Sequence, residues 1–233
     1  MRARLRSPAV RLLGLTLLVV VMTGCGSSST GNGVARKTPA EIIAGAKILA
    51  DRAASVHVSG SILSGSSPIT LNMYLLADKG GRGQLSENGL SFELIQIHGT
   101  VFIKGSPAFY SHVAGPTAAQ LLQGRWLKAP ANTGNLASLA SLTDLHQLLD
   151  TTLGAHGPLV KGAATTVDGR KVIGVSDTSQ GGTLYVATTG PPYPIEISKS
   201  GTGAGKIVFD QWNGPVSVTA PQNTIDITQL TAH

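Results

Sequence analysis

"SFELIQIHGTVFIKG" (Ser91–Gly105) holds the reading on which the fold turns. Two runs rich in β-branched and aromatic residues flank His98-Gly99, and a glycine in second place suits a two-residue connection between antiparallel strands. With that loop, Ile97 opposes Thr100 and Ile95 opposes Phe102. Ile95, Ile97 and Phe102 then share one face, and Leu94, Val101 and Ile103 share the other. A strand pair that is apolar on both faces needs cover on both sides, or a curved sheet wrapped around a filled interior.

The same texture extends in both directions. Upstream lie "SVHVSGSIL", "ITLNMYLLA" and "GRGQLSE". Downstream, after a break, come "PLVKGAATTV", "GRKVIGVS", "TLYVATT", "YPIEISK", "GKIVFDQW" and "VSVTAP". With the central pair, this predicts about eleven short strands separated by turn residues. Asp168-Gly169 predicts a second tight hairpin. The break, Pro107 to Leu153, contains "PTAAQLLQGRWLKAP" and "NLASLASLTDLHQLLDTTLG", read as two or three short helices. Leu142, Leu145, Leu148 and Leu149 form a stripe at helical spacing, with Ser141 or Thr143 as its cap. Ahead of the strands, Thr38, Pro39 and Glu41 make a capping box, and Ile42, Ala46, Leu49 and Ala53 continue an amphipathic helix to about Ala54. Helix, five strands, helices, six strands is an α+β order: one antiparallel sheet with its helices gathered on one side.

The start of the chain has a different character. Arg2, Arg4, Arg6 and Arg11 precede the apolar run Leu12 to Met22, which has the length of a secretory leader and is short for a membrane span. Small residues follow, then Cys25, the one cysteine in 233 residues. The run Met22-Thr23-Gly24-Cys25 resembles a lipobox, with Met22 where Leu, Val or Ile is usual. It predicts a leader over residues 1–24, cleavage between Gly24 and Cys25, and lipid on the cysteine. Residues 25–37, rich in Gly and Ser, read as a flexible tether with a reach of roughly 20 Å. Residues 38–233 read as one domain. The expected protein is exported, attached to the extracytoplasmic side of the cell membrane through Cys25, and monomeric.

Charge and motif content narrow the function. Loss of four arginines from the 18 basic residues, with all 12 acids kept, leaves a net charge of +2. Paired cations occur at Arg36-Lys37 and Arg170-Lys171 without a wider basic tract, so no nucleic-acid partner is expected. "SGTGAGK" (Ser200–Lys206) lacks the first glycine and the final Ser or Thr of a phosphate loop and reads as a hairpin turn. No G-x-S-x-G elbow, no CxxC and no His pair with metal-ligand spacing occurs, so neither an enzyme, a metal site nor a cofactor is expected.

In order along the chain, "SVHVSGSI", "FELIQIHGTVFIKG", "GRWLKA", "VDGRKVIGV", "GTLYVATTGPPYPIEI" and "IVFDQWNGPVSVTAP" resemble the actinobacterial LppX/LprG/LprA/LprF lipoproteins, over about Ser55 to Pro221. That resemblance implies a fold similar to LolA and LolB, a strongly curved antiparallel half-barrel with helices on its concave side. It also implies a hydrophobic cavity that carries acylated lipids or glycolipids across the envelope without covalent chemistry, and a possible transporter partner. Sheltering a chain from water is worth about 0.8 kcal/mol per CH₂, so such a carrier needs a dry cavity rather than a reactive group. Alternation along the strands nominates Val56, Val58, Ile62, Leu71, Met73, Leu75, Ile95, Ile97 and Phe102 as cavity lining, closed by Leu145, Leu148 and Leu149. Each is equally an ordinary core residue. A competing expectation is a cell-surface scaffold or partner-binding lipoprotein whose core is filled by its own helices.

Overall fold

A computed structural model of the chain describes residues 31–77, 80–133, 142–154 and 156–229. The leader, Gly24 and Cys25 lie outside the described residues, as do Ser141 and most of "NLASLASL". Twelve strands form one unclosed sheet among the described residues. In chain order they are β1 (Ser55–Ser64), β2 (Ser67–Leu76), β3 (Gly80–Glu87), β4 (Leu90–Ile97), β5 (Thr100–Gly105), β6 (Trp126–Pro130), β7 (Leu159–Val167), β8 (Arg170–Asp177), β9 (Thr183–Ala187), β10 (Pro194–Lys199), β11 (Gly205–Asp210) and β12 (Thr224–Asp226). Their spatial order is β12-β6-β5-β4-β3-β2-β1-β11-β10-β9-β8-β7, two meanders joined where β1 meets β11. Every pairing is antiparallel except β12 with β6. The helices are α1 (Pro39–Asp51), α2 (Pro107–Ala114), α3 (Pro116–Leu122) and α4 (Leu145–Leu153). This is the α+β layout with a curved sheet that the sequence implies.

The local signals behave as their chemistry requires. His98 and Gly99 have φ of 50° and 72°, Asp168 and Gly169 have 45° and 77°, and Ile97 pairs with Thr100 as expected. Positive φ at both loop residues is what lets a two-residue turn follow the strand twist. At α1, the Glu41 amide donates to Thr38 Oγ1 at 3.3 Å, and the Thr38 amide donates to the Glu41 carboxylate at 2.8 Å. That second bond holds the Glu41 carboxyl below its ordinary value. The helix stops at Asp51, short of Ala54.

Several expectations are corrected. "VSVTAP" is not a strand: from Val216 it alternates half-buried valines with exposed residues, and the Ser217 carbonyl accepts from Arg82 Nε at 3.1 Å. The chain must travel from β11, mid-sheet, to the far edge beside β6, and this segment makes the crossing. Trp126–Pro130, read as part of the helical insertion, is instead strand β6, paired with β5. Asp144 caps α4 by accepting from the Gln147 amide at 3.1 Å, leaving the Thr143 hydroxyl to donate to Gln96 Oε1 at 2.7 Å. The domain also begins earlier than residue 38. The Asn32 side-chain amide donates to the carbonyls of Ala187 and Gly190, both at 2.9 Å, and Val34 is 3% exposed within the main core.

Register places two side-chain rows on the helix-covered inner face. One runs Phe209, Val58, Met73, Gly83, Leu94, Ile103, Leu127; the other runs Val56, Leu75, Gly81, Gln96, Val101, Ala129. The glycines in these rows are steric requirements. A Cβ at Gly83 would run into the Asn72 carbonyl oxygen and the Met73 sulfur. Gly83→Ala is expected to lower the unfolding free energy by about 2 kcal/mol, the scale of an overpacked core, in a urea melt. Because two of the three clashing atoms, the Asn72 carbonyl oxygen and the Met73 Cα, are backbone, adding Met73→Ala should not restore it.

Candidate ligand cavity

Two regions of the inner face are covered differently. Over β1, β2 and β8–β10, α1 and α4 close the surface: Ile42, Val56, Leu75, Leu145 and Leu149 are fully buried in one cluster. Beyond them, over β5 and β6, the α2–α3 pair covers the sheet and leaves an apolar cavity of about 410 Å³. Val101 and Ile103 of β5 and Leu127 and Ala129 of β6 form its floor. Phe109, Tyr110, Val113 and Ala114 of α2 and Leu122 of α3 form its cover, with Ile227 at one end.

Local sequence sets the cover in place. Ser106 caps α2 by accepting from the Phe109 amide at 3.2 Å. Pro107 and Pro116 begin α2 and α3, where a missing amide proton costs nothing. Gly115 separates the helices with φ of 84°, a turn that a side chain would oppose. Gly105 leaves room for the Phe109 ring, which packs on Phe92 with centroids 5.2 Å apart. The Tyr110 hydroxyl donates to the Arg125 carbonyl at 3.0 Å, tying α2 to the chain that enters β6. Burial pushes the Tyr110 phenol above its ordinary value, so the neutral form is the one the fold holds. Val113, 57% exposed, and Leu121, 75% exposed, leave apolar surface on this cover open to solvent.

None of the twelve residues nominated by alternation lines this cavity. Val56, Val58, Met73, Leu75, Leu145 and Leu149 come together as closed core, with Leu71 and Leu148 packed against it. Ile62 falls at the open end of β1, 38% exposed. Ile95, Ile97 and Phe102 point to the opposite, outer face, where Asp210, His57, Tyr74, Arg82, Ile95, Phe102 and Lys128 form one row. The hairpin register was legible; its facing was not. Gln96 is the reason. Buried at 7% exposure, this polar residue sits on the inner face, where the Thr143 hydroxyl satisfies it; a buried amide without such a partner would be costly. The floor residues Val101 and Ile103 were visible as the hairpin's other apolar face, whereas α2 carried no strong pattern.

The outer face carries a histidine–carboxylate pair. His57 Nδ1 lies 2.7 Å from Asp210 Oδ1 and its Nε2 lies 3.0 Å from Asn72 Oδ1. Tyr74 packs on the ring, tilted by 32° with centroids 4.4 Å apart, and Arg82 covers Tyr74 at 4.8 Å. Both ring nitrogens are engaged, so the histidine staples β11, β1 and β2 together. Among the described residues no three His, Cys, Asp or Glu side chains gather as metal ligands, and no helix is long and apolar enough to cross a membrane.

Comparison with solved structures identifies the architecture. LprF from Mycobacterium bovis superposes with a TM-score of 0.51, covering 78% of this chain and 96% of LprF at 14% identity. The chain has the LprF fold. The Mycobacterium tuberculosis lipoprotein LppX gives a TM-score of 0.48, with 78% of this chain and 100% of LppX covered at 18% identity. An uncharacterized conserved protein from Thermus thermophilus gives 0.43, with 82% and 99% covered at 9% identity. No family model matches the chain, and no curated protein sequence matches it.

Tyr110→Phe tests the cover. Losing the bond to Arg125 should cost about 1 kcal/mol at neutral pH. The stability held by the neutral phenol is fully present below the unfolded value, near pH 10, and is lost as pH rises through the higher folded value. The gap between wild type and variant in urea melts should therefore narrow above about pH 10.

Proposed function

We propose that this chain is a lipid-anchored lipoprotein of the LppX/LprG/LprF kind that holds an acyl chain of a lipid or glycolipid beneath α2–α3 and carries it across the cell envelope without covalent chemistry. The cavity at the β5–β6 end of the inner face carries this reading. Its volume is about 410 Å³ and its lining is almost wholly hydrocarbon. Small-molecule sites commonly enclose several hundred Å³ or more, so this one falls toward the lower end of the range. A cavity of that size suits one acyl chain better than the several chains of a complex lipid. Its cover is two short helices, held by the Ser106 cap and by the Tyr110 bond to the Arg125 carbonyl, with Phe109 packed on the core that Val101 and Ile103 join. Shared fold with LprF and the lipobox-like run ending at Cys25 support export and anchoring.

A second reading has its own support. Under α1 and α4 the inner face is solid, with Leu75, Leu145 and Leu149 at 0% exposure, as a self-filled scaffold requires. The two readings differ in what occupies the α2–α3 end.

Ala114→Trp separates them. Ala114 is exposed at the end of α2 and lines the cavity, so an indole there fills the site without disturbing packed core. For a carrier, organic extracts of the purified protein contain lipid, and the variant retains less than about a tenth of it, a loss consistent with several CH₂ groups left in water at about 0.8 kcal/mol each. Equal lipid in both proteins, or none in either, contradicts the reading. Anchoring is tested by Cys25→Ser, which should move the folded chain out of the membrane fraction; retention there with unchanged processing contradicts it.

A further inference from the structure

We propose that the corner of the domain where the N-terminal segment docks is a membrane-facing surface that binds the headgroups of acidic lipids; this rests on Cys25 being the anchor. The chain does not leave the domain at residue 38. The Asn32 amide donates to the Thr188 carbonyl at 2.8 Å, its side chain holds the Ala187 and Gly190 carbonyls, and Val34 is plugged into the core. Seven residue steps separate Asn32 from Cys25. Fully extended, such a segment reaches roughly 25 Å. An anchored domain therefore keeps the 188–190 loop close to the headgroups, and whatever chemistry surrounds that loop meets them.

The surrounding chemistry is cationic and interfacial. Two adjoining depressions, of about 340 and 540 Å³, share Lys171 and Thr189; Arg36 lines the first and Arg170 the second. Arg36, Arg170 and Lys171 are all exposed. Asp168, the acid of the same hairpin, shares Lys206 with Glu196, at 3.1 and 2.7 Å, and so faces a cation of its own. At the rim of the larger depression Tyr193 stacks on Trp212 with centroids 4.7 Å apart, and the indole N–H donates to the Pro194 carbonyl at 3.0 Å. Flat rings with one apolar body and one satisfied polar tip suit the headgroup layer. Lipid anchor plus basic patch is the two-signal arrangement that makes attachment stable, and each cation near an acidic surface is worth roughly fivefold in surface population. The acyl cavity lies elsewhere, at β5–β6, seven strand spacings along the sheet from β9. Anchoring surface and cargo site are thus separate parts of the molecule.

The two tryptophans make the test direct, because Trp212 belongs to the corner and Trp126 to β6. The mature chain from Cys25 onward, made without lipid so that its single thiol is free, is coupled through Cys25 to a maleimide-headgroup lipid in phosphatidylcholine vesicles with or without phosphatidylglycerol. Trp212 emission, in a Trp126→Phe background, is quenched by a nitroxide-headgroup lipid. Quenching should be strong with phosphatidylglycerol, weak without it, and abolished at about 1 M salt, where the screening length falls to about 3 Å. Arg170→Glu with Lys171→Glu should lower the docked-to-undocked ratio at least about twentyfold, and Arg36→Glu, on a separate segment, at least about fivefold. Trp126, in a Trp212→Phe background, should stay unquenched. Quenching that ignores phosphatidylglycerol, or that survives both charge reversals in variants with unchanged unfolding midpoints, overturns the proposal. Coupling unlipidated protein through the Cys25 thiol supplies the anchor chemically, so failure of the Cys25→Ser release experiment refutes the natural anchor while the vesicles still decide the corner.

Discussion

A single, almost wholly antiparallel sheet of this width has more apolar inner surface than one helix can cover. α1 and α4 seal the part over β1, β2 and β8–β10, and the main core closes there around Val56, Leu75, Leu145 and Leu149. Toward the other edge, β5 and β6 present Val101, Ile103, Leu127 and Ala129 to the shorter pair α2–α3, which spans the gap without filling it. The sheet is thus sealed over one length and left with room over another, while Val101 and Ile103 of the cavity floor join the same continuous core. That division explains how a chain with 13% charged residues, no disulfide within its described part and no metal cluster there can keep a cavity and a firm core together.

What the sequence made legible was local. Thr38, Pro39 and Glu41 specify the start of α1 among themselves. His98-Gly99 and Asp168-Gly169 specify their hairpins through backbone conformations that few other dipeptides adopt. Whatever depends on distant partners was not legible. Gln96 looks solvent-facing until Thr143, 47 positions later, satisfies it on the inner face, which puts Ile95, Ile97 and Phe102 on the outer one. Asn32 looks like linker until its partners at Ala187 and Gly190 are known, 155 and 158 positions away. β6 hid inside a helix-like stretch because five residues ending in proline carry almost no period.

The corrected N-terminal boundary changes how the molecule would work in an envelope. A tether running to residue 37 would let the domain range widely, whereas docking at Asn32 holds one corner near the proposed anchor and leaves the α2–α3 end at a distant part of the sheet. On the proposed function, an acyl chain exchanges through the side where Val113 and Leu121 are exposed, with the proposed docking corner at the headgroups.

The central claim, an acyl chain beneath α2–α3, is tested most directly by a crystal structure of the protein purified with its native lipids. Continuous hydrocarbon density lying against Val101, Ile103 and Leu127 is the predicted result. An α2–α3 pair collapsed onto β5 and β6 with no density between them would contradict it and leave the self-filled scaffold as the better account.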